Sequence, residues 1–173
     1  MNTTPPNPEQ EQPQVREWRL DPARSTAEFR VKHFWGLITV TGHFDRFDGV
    51  YAVSANGGRI ELTIDADSLD TGNPRRDRHL RSSEFFDAEE HPQTRFRSTS
   101  VVDAGKGRLH VDGTLEAAGK SVPLSLDATV RELDGALEIE ATTTVDHRLF
   151  DMTWSPLGTL RSPATLHVRA RLT

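Results

Sequence analysis

Polar and apolar side chains alternate with a period of two along most of this chain, and this pattern narrows the folds open to it. In residues 27–35 every second position carries Ala, Phe, Val, His or Trp, while the positions between begin Glu, Arg, Lys. Residues 122–130, 137–145 and 164–172 alternate in the same way. Successive side chains of a strand point to opposite faces. The chain is therefore predicted to form strands with one covered and one polar face.

The alternating segments together predict eight or nine strands. They are 17–20, 27–35, 37–44, 59–65, 94–101, 108–115, 122–130, 137–145 and 164–172. Many half-polar antiparallel strands with almost no helix leave a sandwich or a closed barrel as the two architectures. The longer strands, of about nine to eleven residues, favour a strongly tilted barrel.

One segment, residues 73–87, interrupts the alternation. Its sequence NPRRDRHLRSSEFFD is charged and lacks β-branched residues. Asn73 stands in the N-cap position and Pro74 in the first turn, the preferred order at a helix start. Ser82 or Ser83 is placed to cap a second turn. The segment predicts one or two short helices that join two strands.

Composition sets the domain boundary and the cellular setting. Residues 1–14 contain no large apolar residue after Met1 and are rich in Pro, Gln, Glu and Asn. We therefore expect a disordered tail at 1–14 and a single domain at 15–173. No signal-peptide pattern and no run of 18 apolar residues occurs, which predicts a cytoplasmic protein without an integral membrane segment.

Several chemistries are disfavoured by the residues present. The chain has no cysteine, so disulfides, thiol catalysis and Cys-ligated metals are excluded. Its net charge is −5 with both signs interspersed, so we expect no nucleic-acid partner. The histidines lack metal-site spacing, and no Gly-x-Ser-x-Gly occurs. We expect no metal, no cofactor other than a bound lipid, and no catalytic residue.

The stretch 69–98 carries a series of family motifs. They are Thr71-Gly72-Asn73, Arg76-Asp77-Arg78-His79-Leu80, Phe85-Phe86-Asp87, Pro92 and Phe96-Arg97-Ser98. With Asp21, Ser25 and other positions near the N-terminus, they resemble the YceI-like family of lipid-binding proteins over essentially the chain after Val15. The chain departs from the family pattern at Arg24, at Ala118-Gly119 and at 147–152.

The resemblance implies an all-β fold, an eight-stranded antiparallel up-and-down barrel of the lipocalin-like type, whose lumen holds a long isoprenoid chain. It also implies a homodimer, in line with the general prevalence of two-fold oligomers. The leading hypothesis is a protein that binds, and carries or stores, a polyprenyl lipid or isoprenoid quinone. The alternatives are a small enzyme acting on a lipid or aromatic compound, and a packed barrel that serves self-association.

The predicted inward faces combine small residues with aromatic ones. An eight-stranded barrel either fills its interior with side chains or holds one ligand. Small residues such as Ala27, Gly42 and Ala141 would leave room for the ligand. The residues predicted to bind it are Phe29, Val31, His33, Trp35, Ile38, Val40, Phe44, Ile60, Leu62, Leu80, Phe85, Phe86, Phe96, Leu126, Ile139, Ala141 and Val168.

One polar cluster has two interpretations. It is either a rim that contacts a ligand headgroup or a hydrogen-bonded plug that fixes the helix over one barrel end. We favour the plug, because turns that become buried need their polar groups satisfied. Its residues are Asp70, Thr71, Asn73, Arg76, Asp77 and His79.

Overall fold

The computed structural model describes residues 15–33, 38–152 and 163–173, apart from the side chain of His33. These residues form one antiparallel sheet of 11 strands. The strands are β1 (Arg16–Arg19), β2 (Thr26–His33), β3 (Ile38–Phe44), β4 (Phe47–Ser54), β5 (Gly57–Asp65), β6 (Leu69–Asp70), β7 (Gln93–Gly105), β8 (Arg108–Ala117), β9 (Lys120–Leu133), β10 (Ala136–Val145) and β11 (Ala164–Leu172). The predicted tail at 1–14 lies outside the described residues.

The sheet curves as a half-barrel in the order β1-β4-β5-β7-β8-β9-β10-β11-β2-β3-β6. Each of the strands β7 to β10 pairs with the next strand along the chain, as in an up-and-down sheet. Arg19 and Thr173 exchange two backbone hydrogen bonds of 2.9 Å, and the N–H of Leu20 donates to the carbonyl of Gly49 at 2.9 Å. The residues that end and follow β1 therefore tie β4 to β11.

The all-β antiparallel prediction is confirmed, but the prediction of eight strands is wrong. Two of the additional strands, β4 and β6, carry no alternating pattern. β4 has apolar residues on both faces, since Tyr51 and the adjacent Ala52 are both buried. β6 is only two residues long and pairs with the end of β3. A strand this short is too brief to show a period.

The segment between β6 and β7 contains a single helix, α1 (Pro74–Arg81). The Asn73 side chain accepts hydrogen bonds from the backbone N–H groups of Arg75 and Arg76 at 3.1 and 3.2 Å, as expected of an N-cap. The residues after Ser82 form turns rather than a second helix. Short 3₁₀ turns also occur at Pro22–Arg24, Ala66–Ser68 and His147–Phe150.

The residues after α1 attach this connection to the inner face of the sheet. The ring of Phe86 meets that of Phe44 edge to face, with centroids 5.9 Å apart, and Phe44 lies 5.7 Å from Phe29. Leu69 is fully buried beside them. The α1 connection is thereby held against β2 and β3. In the part of the chain described, no helix is long and apolar enough to cross a membrane.

Candidate ligand-binding cavity

The inner face of the sheet encloses a cavity of about 330 Å³. Residues of β2–β5 and β7–β11 form its wall, and residues of the α1 connection complete it. Pockets that hold small molecules commonly measure about 300–1,000 Å³ and are mostly apolar. This cavity therefore has the size and the chemistry of a small-molecule site.

Most of the residues predicted to bind a ligand come together on this wall. They are Phe29, Val31, Val40, Phe44, Ile60, Leu62, Leu80, Phe85, Phe86, Phe96, Leu126, Ile139, Ala141 and Val168. Ile38 was also predicted to bind the ligand, but it lies at the start of β3, is 50% exposed and does not line the cavity. The side chain of His33 and all of Trp35 lie outside the described residues.

The sequence analysis missed other parts of the wall. Leu124 and Ala128 alternate with Leu126 on β9, so the period places them on the same inward face, although they were not among the residues predicted to bind the ligand. Tyr51 belongs to β4, which lacks the alternating signal. His147 and Met152 lie beyond the end of β10, where only the folded chain shows their position.

Two glycines place aromatic rings in the wall. A Cβ atom at Gly42 would lie 2.4 Å from the ring of Phe29, and one at Gly113 would lie 2.6 Å from the ring of Phe96. Each ring therefore lies across a neighbouring strand at a point where only glycine fits. Gly42 was expected to leave room for a ligand. That expectation is wrong, because the Phe29 ring and the Thr71 methyl group take up the space.

The small residues elsewhere on the wall do leave space. Ala27, Ala128, Ala141 and Ala170 all line the cavity, and none has side-chain atoms beyond Cβ. Larger residues at these inward positions would extend into the same volume. The cavity is therefore a consequence of where alanine stands in the inner face of the sheet.

Two polar side chains of the cavity wall, those of Tyr51 and His147, are held by contacts with neighbouring groups. The Tyr51 ring stacks on Trp18, with centroids 5.5 Å apart. Burial, and secondarily the charge of Asp103, raises the pKa of the Tyr51 phenol above its ordinary value. Nδ1 of buried His147 lies 2.6 Å from the Met152 carbonyl, which can only accept, so Nδ1 carries the proton.

The turn that presents His147 is fixed by a charged pair. Asp146 caps it by accepting from the Arg148 N–H at 3.0 Å, and it also pairs with the Arg148 guanidinium. The hydrogen bonds from Arg148 lower the pKa of the Asp146 carboxyl to about 2. The cap is therefore ionised at any pH near neutrality.

One face of α1 adds charge to the wall. Arg76, His79 and Leu80 stand at helix spacings of three and four, and all three line the cavity. Arg76 donates from Nε to the Thr71 hydroxyl at 2.7 Å and from Nη2 to the Thr71 carbonyl at 2.9 Å. Buried Asp77 accepts from both the N–H and the hydroxyl of Thr71. This network has the hydrogen bonds of a plug, and it also brings Arg76 to the cavity.

Outside the cavity, one cluster has the composition of a metal site. One ligand atom each of His43, Asp45 and Asp70 lies within 4.8 Å of the others. His43 lies on β3, Asp45 follows that strand, and Asp70 lies on β6, so sequence spacing could not reveal the third residue. His43 and Asp45 are exposed, and such surface groups commonly occur without an ion. The absence of a metal stays a prediction.

A second outer-face cluster resembles a catalytic triad in composition but not in arrangement. The Ser125 hydroxyl donates to Asp112 at 2.5 Å rather than to a histidine. His110 lies 2.8 Å from Asp127, whose hydrogen bond raises the pKa of the His110 imidazole. A serine nucleophile requires a base that takes its proton. This cluster gives the enzyme alternative no support.

Comparison with known proteins gives a consistent result. The model of the YceI-like domain family matches residues 18–172. A UPF0312 protein of Shewanella denitrificans is 36% identical over 109 residues, covering 61% of this chain and 56% of its own length. One from Pectobacterium atrosepticum is 38% identical over 104 residues, covering 58% and 53%. The matches thus span about half the length of these relatives.

Solved structures show the same fold. BcnA of Burkholderia cenocepacia superposes with a TM-score of 0.81 at 20% identity, covering 89% of this chain and 99% of its own. A polyisoprenoid binding domain from Saccharophagus degradans gives 0.72 at 17% identity, covering 90% and 97%. The YCEI protein of Campylobacter jejuni gives 0.70 at 24%, covering 82% and 88%.

Proposed function

The chain belongs to the YceI-like family, and from that premise we propose that it binds an isoprenoid lipid, a polyprenyl chain or an isoprenoid quinone, in its cavity. The observation that carries the proposal is the mostly apolar cavity wall, which is built from the inner face of one sheet and from the α1 connection. The lipid is cargo that the protein carries or stores, rather than a cofactor.

Burial alone accounts for such binding. Each methylene group removed from water contributes about 0.8 kcal/mol, so a few isoprene units outweigh the cost of ordering the chain. Aromatic residues such as Phe29, Phe44 and Phe96 suit the branched, unsaturated repeats of an isoprenoid. The structural neighbour from Saccharophagus degradans is described as polyisoprenoid binding, and this supports the same ligand class here.

Mass spectrometry of organic extracts from the natively purified protein tests the proposal. We expect an isoprenoid at a substantial fraction of one per chain, and much less in an extract from an unrelated protein purified in parallel. Recovery of only fatty acids or phospholipids would overturn the isoprenoid assignment. If no lipid is recovered and none binds on incubation, lipid binding itself is wrong.

The two alternative functions make different demands on the molecule. A hydrolytic enzyme would need a nucleophile hydrogen-bonded to a base, whereas the Ser125 hydroxyl donates to Asp112 on the outer face. A self-association module would need a filled interior, whereas the wall surrounds a cavity of about 330 Å³. The homodimer stays a prediction that does not bear on ligand binding.

A further inference from the structure

A ribbon of two strands extends past the neighbouring strands at one end of the sheet. β11 pairs with β2 only as far as Arg30, and β6 pairs with only the last two residues of β3. β2 and β3 continue to pair with each other beyond these points, through residues 31–33 and 38–40. Within the described part of the chain, no further strand flanks them. We call residues 30–33 and 38–41 the projecting ribbon.

The inner face of the projecting ribbon is apolar and continues the cavity wall. Val31 and Val40 are paired across the two strands, and both line the cavity. Ile38 lies two residues before Val40 and therefore on the same face of the strand. Its side chain is 50% exposed and lies outside the cavity. An apolar strip thus leads from the cavity wall to an isoleucine that faces solvent.

The outer face of the projecting ribbon is cationic. Arg30 and Lys32 alternate with the apolar residues of β2, and both are exposed. Arg30 is only loosely paired with Glu28, at 3.8 Å, and Lys32 forms no ion pair with any described residue. Residues 29–44 contain no Asp or Glu, although the whole chain has 26 acidic residues and a net charge of −5. The ribbon is therefore a positive region of a negative protein.

We propose that the projecting ribbon docks the protein on the surface of an anionic lipid bilayer. Ile38 enters the boundary between headgroups and acyl chains, and Arg30 and Lys32 pair with anionic headgroups. Apolar side chains and cations act together in this way in proteins that bind a membrane from one side, and each cation contributes about fivefold in affinity. The apolar strip then gives a bound lipid a path between bilayer and cavity. That path rests on the lipid binding proposed above.

Charge and area favour a bilayer over a protein partner. A specific protein interface buries about 800 Å² on each side around an apolar centre. The projecting ribbon is narrow, and Ile38 is its exposed large apolar side chain among the described residues. A ribbon that meets a bilayer end-on brings both of its faces to the surface. The long stems of Lys and Arg then reach the headgroups beside the inserted side chain.

Co-sedimentation with lipid vesicles tests the docking. We expect the wild type to bind phosphatidylcholine vesicles that contain about 30% phosphatidylglycerol at least about tenfold more tightly than pure phosphatidylcholine vesicles. This preference should disappear at about 1 M NaCl, where charges are screened within about 3 Å. Lys32→Glu and Ile38→Asp should each weaken binding to the anionic vesicles at least about fivefold.

Two matched controls carry the same substitutions away from the projecting ribbon. Lys106→Glu changes an exposed lysine in the β7–β8 turn, at the opposite end of the strands. Val102→Asp changes a side chain on β7 that is 54% exposed, about as exposed as that of Ile38. Each should bind the anionic vesicles within about twofold of the wild type, because an exposed position away from the docking surface contributes little. Circular dichroism verifies that every variant is folded.

Transfer of a bound lipid separates the docking from the lipid-binding function. Each delipidated protein is loaded with geranylgeraniol from ethanol, and its release is followed after the anionic vesicles are added. Lys32→Glu and Ile38→Asp should bind geranylgeraniol within about twofold of the wild type, because neither residue lines the cavity. They should release it to the vesicles at least about fivefold more slowly, in line with their weaker docking.

The outcomes distinguish the docking from the proposed function. Equal binding of the wild type to both kinds of vesicle overturns the docking while lipid binding stands. A loss in Lys106→Glu and Val102→Asp as large as in the ribbon variants also overturns it. If geranylgeraniol does not bind the wild type, the proposed lipid binding and the path fail, even where anionic vesicles are bound. A wild-type dimer that Ile38→Asp separates into monomers in light scattering would assign the ribbon to a second copy of the chain instead.

Discussion

Adjacent residues on β10 show that a two-residue alternation predicts which face a side chain lies on but not how deeply it is buried. Ile139 faces the cavity as predicted from the alternation, and Glu138 faces the other side. The alternation gives the face of Glu138 but not its burial, which leaves it 5% exposed. Arg131 Nε donates to Oε1 at 2.8 Å and Arg169 Nη2 to Oε2 at 2.9 Å. The neighbouring strands that supply these arginines are known only once the sheet order is known.

Replacing Glu138 tests its ion pairs with Arg131 and Arg169. The hydrogen bonds of Arg131, and then of Arg169, lower the pKa of the Glu138 carboxyl. Its stabilising contribution is therefore present above the unfolded value and is lost as the pH falls through the lowered pKa. We expect Glu138→Gln to reduce the free energy of unfolding by about 1–3 kcal/mol at pH 7, and by less at pH 3. Urea denaturation at both pH values measures this.

The control for that prediction is Glu132→Gln. Glu132 is exposed on β9 close to the same hairpin and forms no ion pair among the described residues. Its replacement should change the free energy of unfolding by no more than about 0.5 kcal/mol at either pH. A Glu138→Gln effect that is equally small at pH 7, or that grows toward pH 3, would contradict the assignment.

At the scale of an element, α1 and β4 mark opposite limits of sequence-based prediction. The start of α1 depends on local signals, Asn73 and Pro74, and these were readable. The attachment of α1 depends on hydrogen bonds between Thr71 and Asp77. The sequence predicted that these residues belong to one polar cluster, but it did not predict which of them bond to each other. β4 was missed because both of its faces carry apolar residues once the neighbouring strands cover them.

Thr71→Val should loosen α1 from the sheet. Valine has nearly the shape of threonine but neither donates to Asp77 nor accepts from Arg76, so two partners lose a hydrogen bond. A buried polar group left without its partner costs about 1–3 kcal/mol. We expect a loss of this size in urea denaturation, and faster amide hydrogen exchange across 74–81 than elsewhere.

Thr144→Val controls for the valine substitution itself, because Thr144 is exposed on β10. Its effect on the free energy of unfolding should stay within about 0.5 kcal/mol, with exchange at 74–81 unchanged. If Thr71→Val is no more destabilising than Thr144→Val, then the Thr71 network does not fix the helix.

For the whole molecule, the sequence predicted the wall but not the volume it encloses. Alternation assigned Ile60, Leu126 and Val168 to the inner face, and all three reach the cavity. Whether inner faces meet or stay apart depends on the curvature of the sheet and on strand order. The strand order includes β1 and β6, which are only four and two residues long, and the rings of Phe29 and Phe96 lie close to Gly42 and Gly113 on other strands. Such details need the folded chain.

Ile139→Trp tests the cavity as a property of the whole fold. Ile139 lines the wall beside Ala141 and opposite Ala170 on β11, so the larger indole has space only if the interior is open. In an open cavity the delipidated variant should melt within a few degrees of the delipidated wild type, while recovered lipid per chain falls severalfold. In a filled core the same change would cost about 1–3 kcal/mol through overpacking.

Restoring lipid gives the decisive comparison. A ligand at a hundredfold excess over its Kd stabilises the folded state by about 2.7 kcal/mol, which in a chain of this size raises Tm by roughly 5–10 °C. We expect that rise in the wild type and in Thr144→Trp, whose new side chain lies on the outer face of the same strand, but not in Ile139→Trp. A strongly destabilised delipidated Ile139→Trp would show that the interior is packed. An undiminished Tm rise in Ile139→Trp would show that the lipid binds elsewhere.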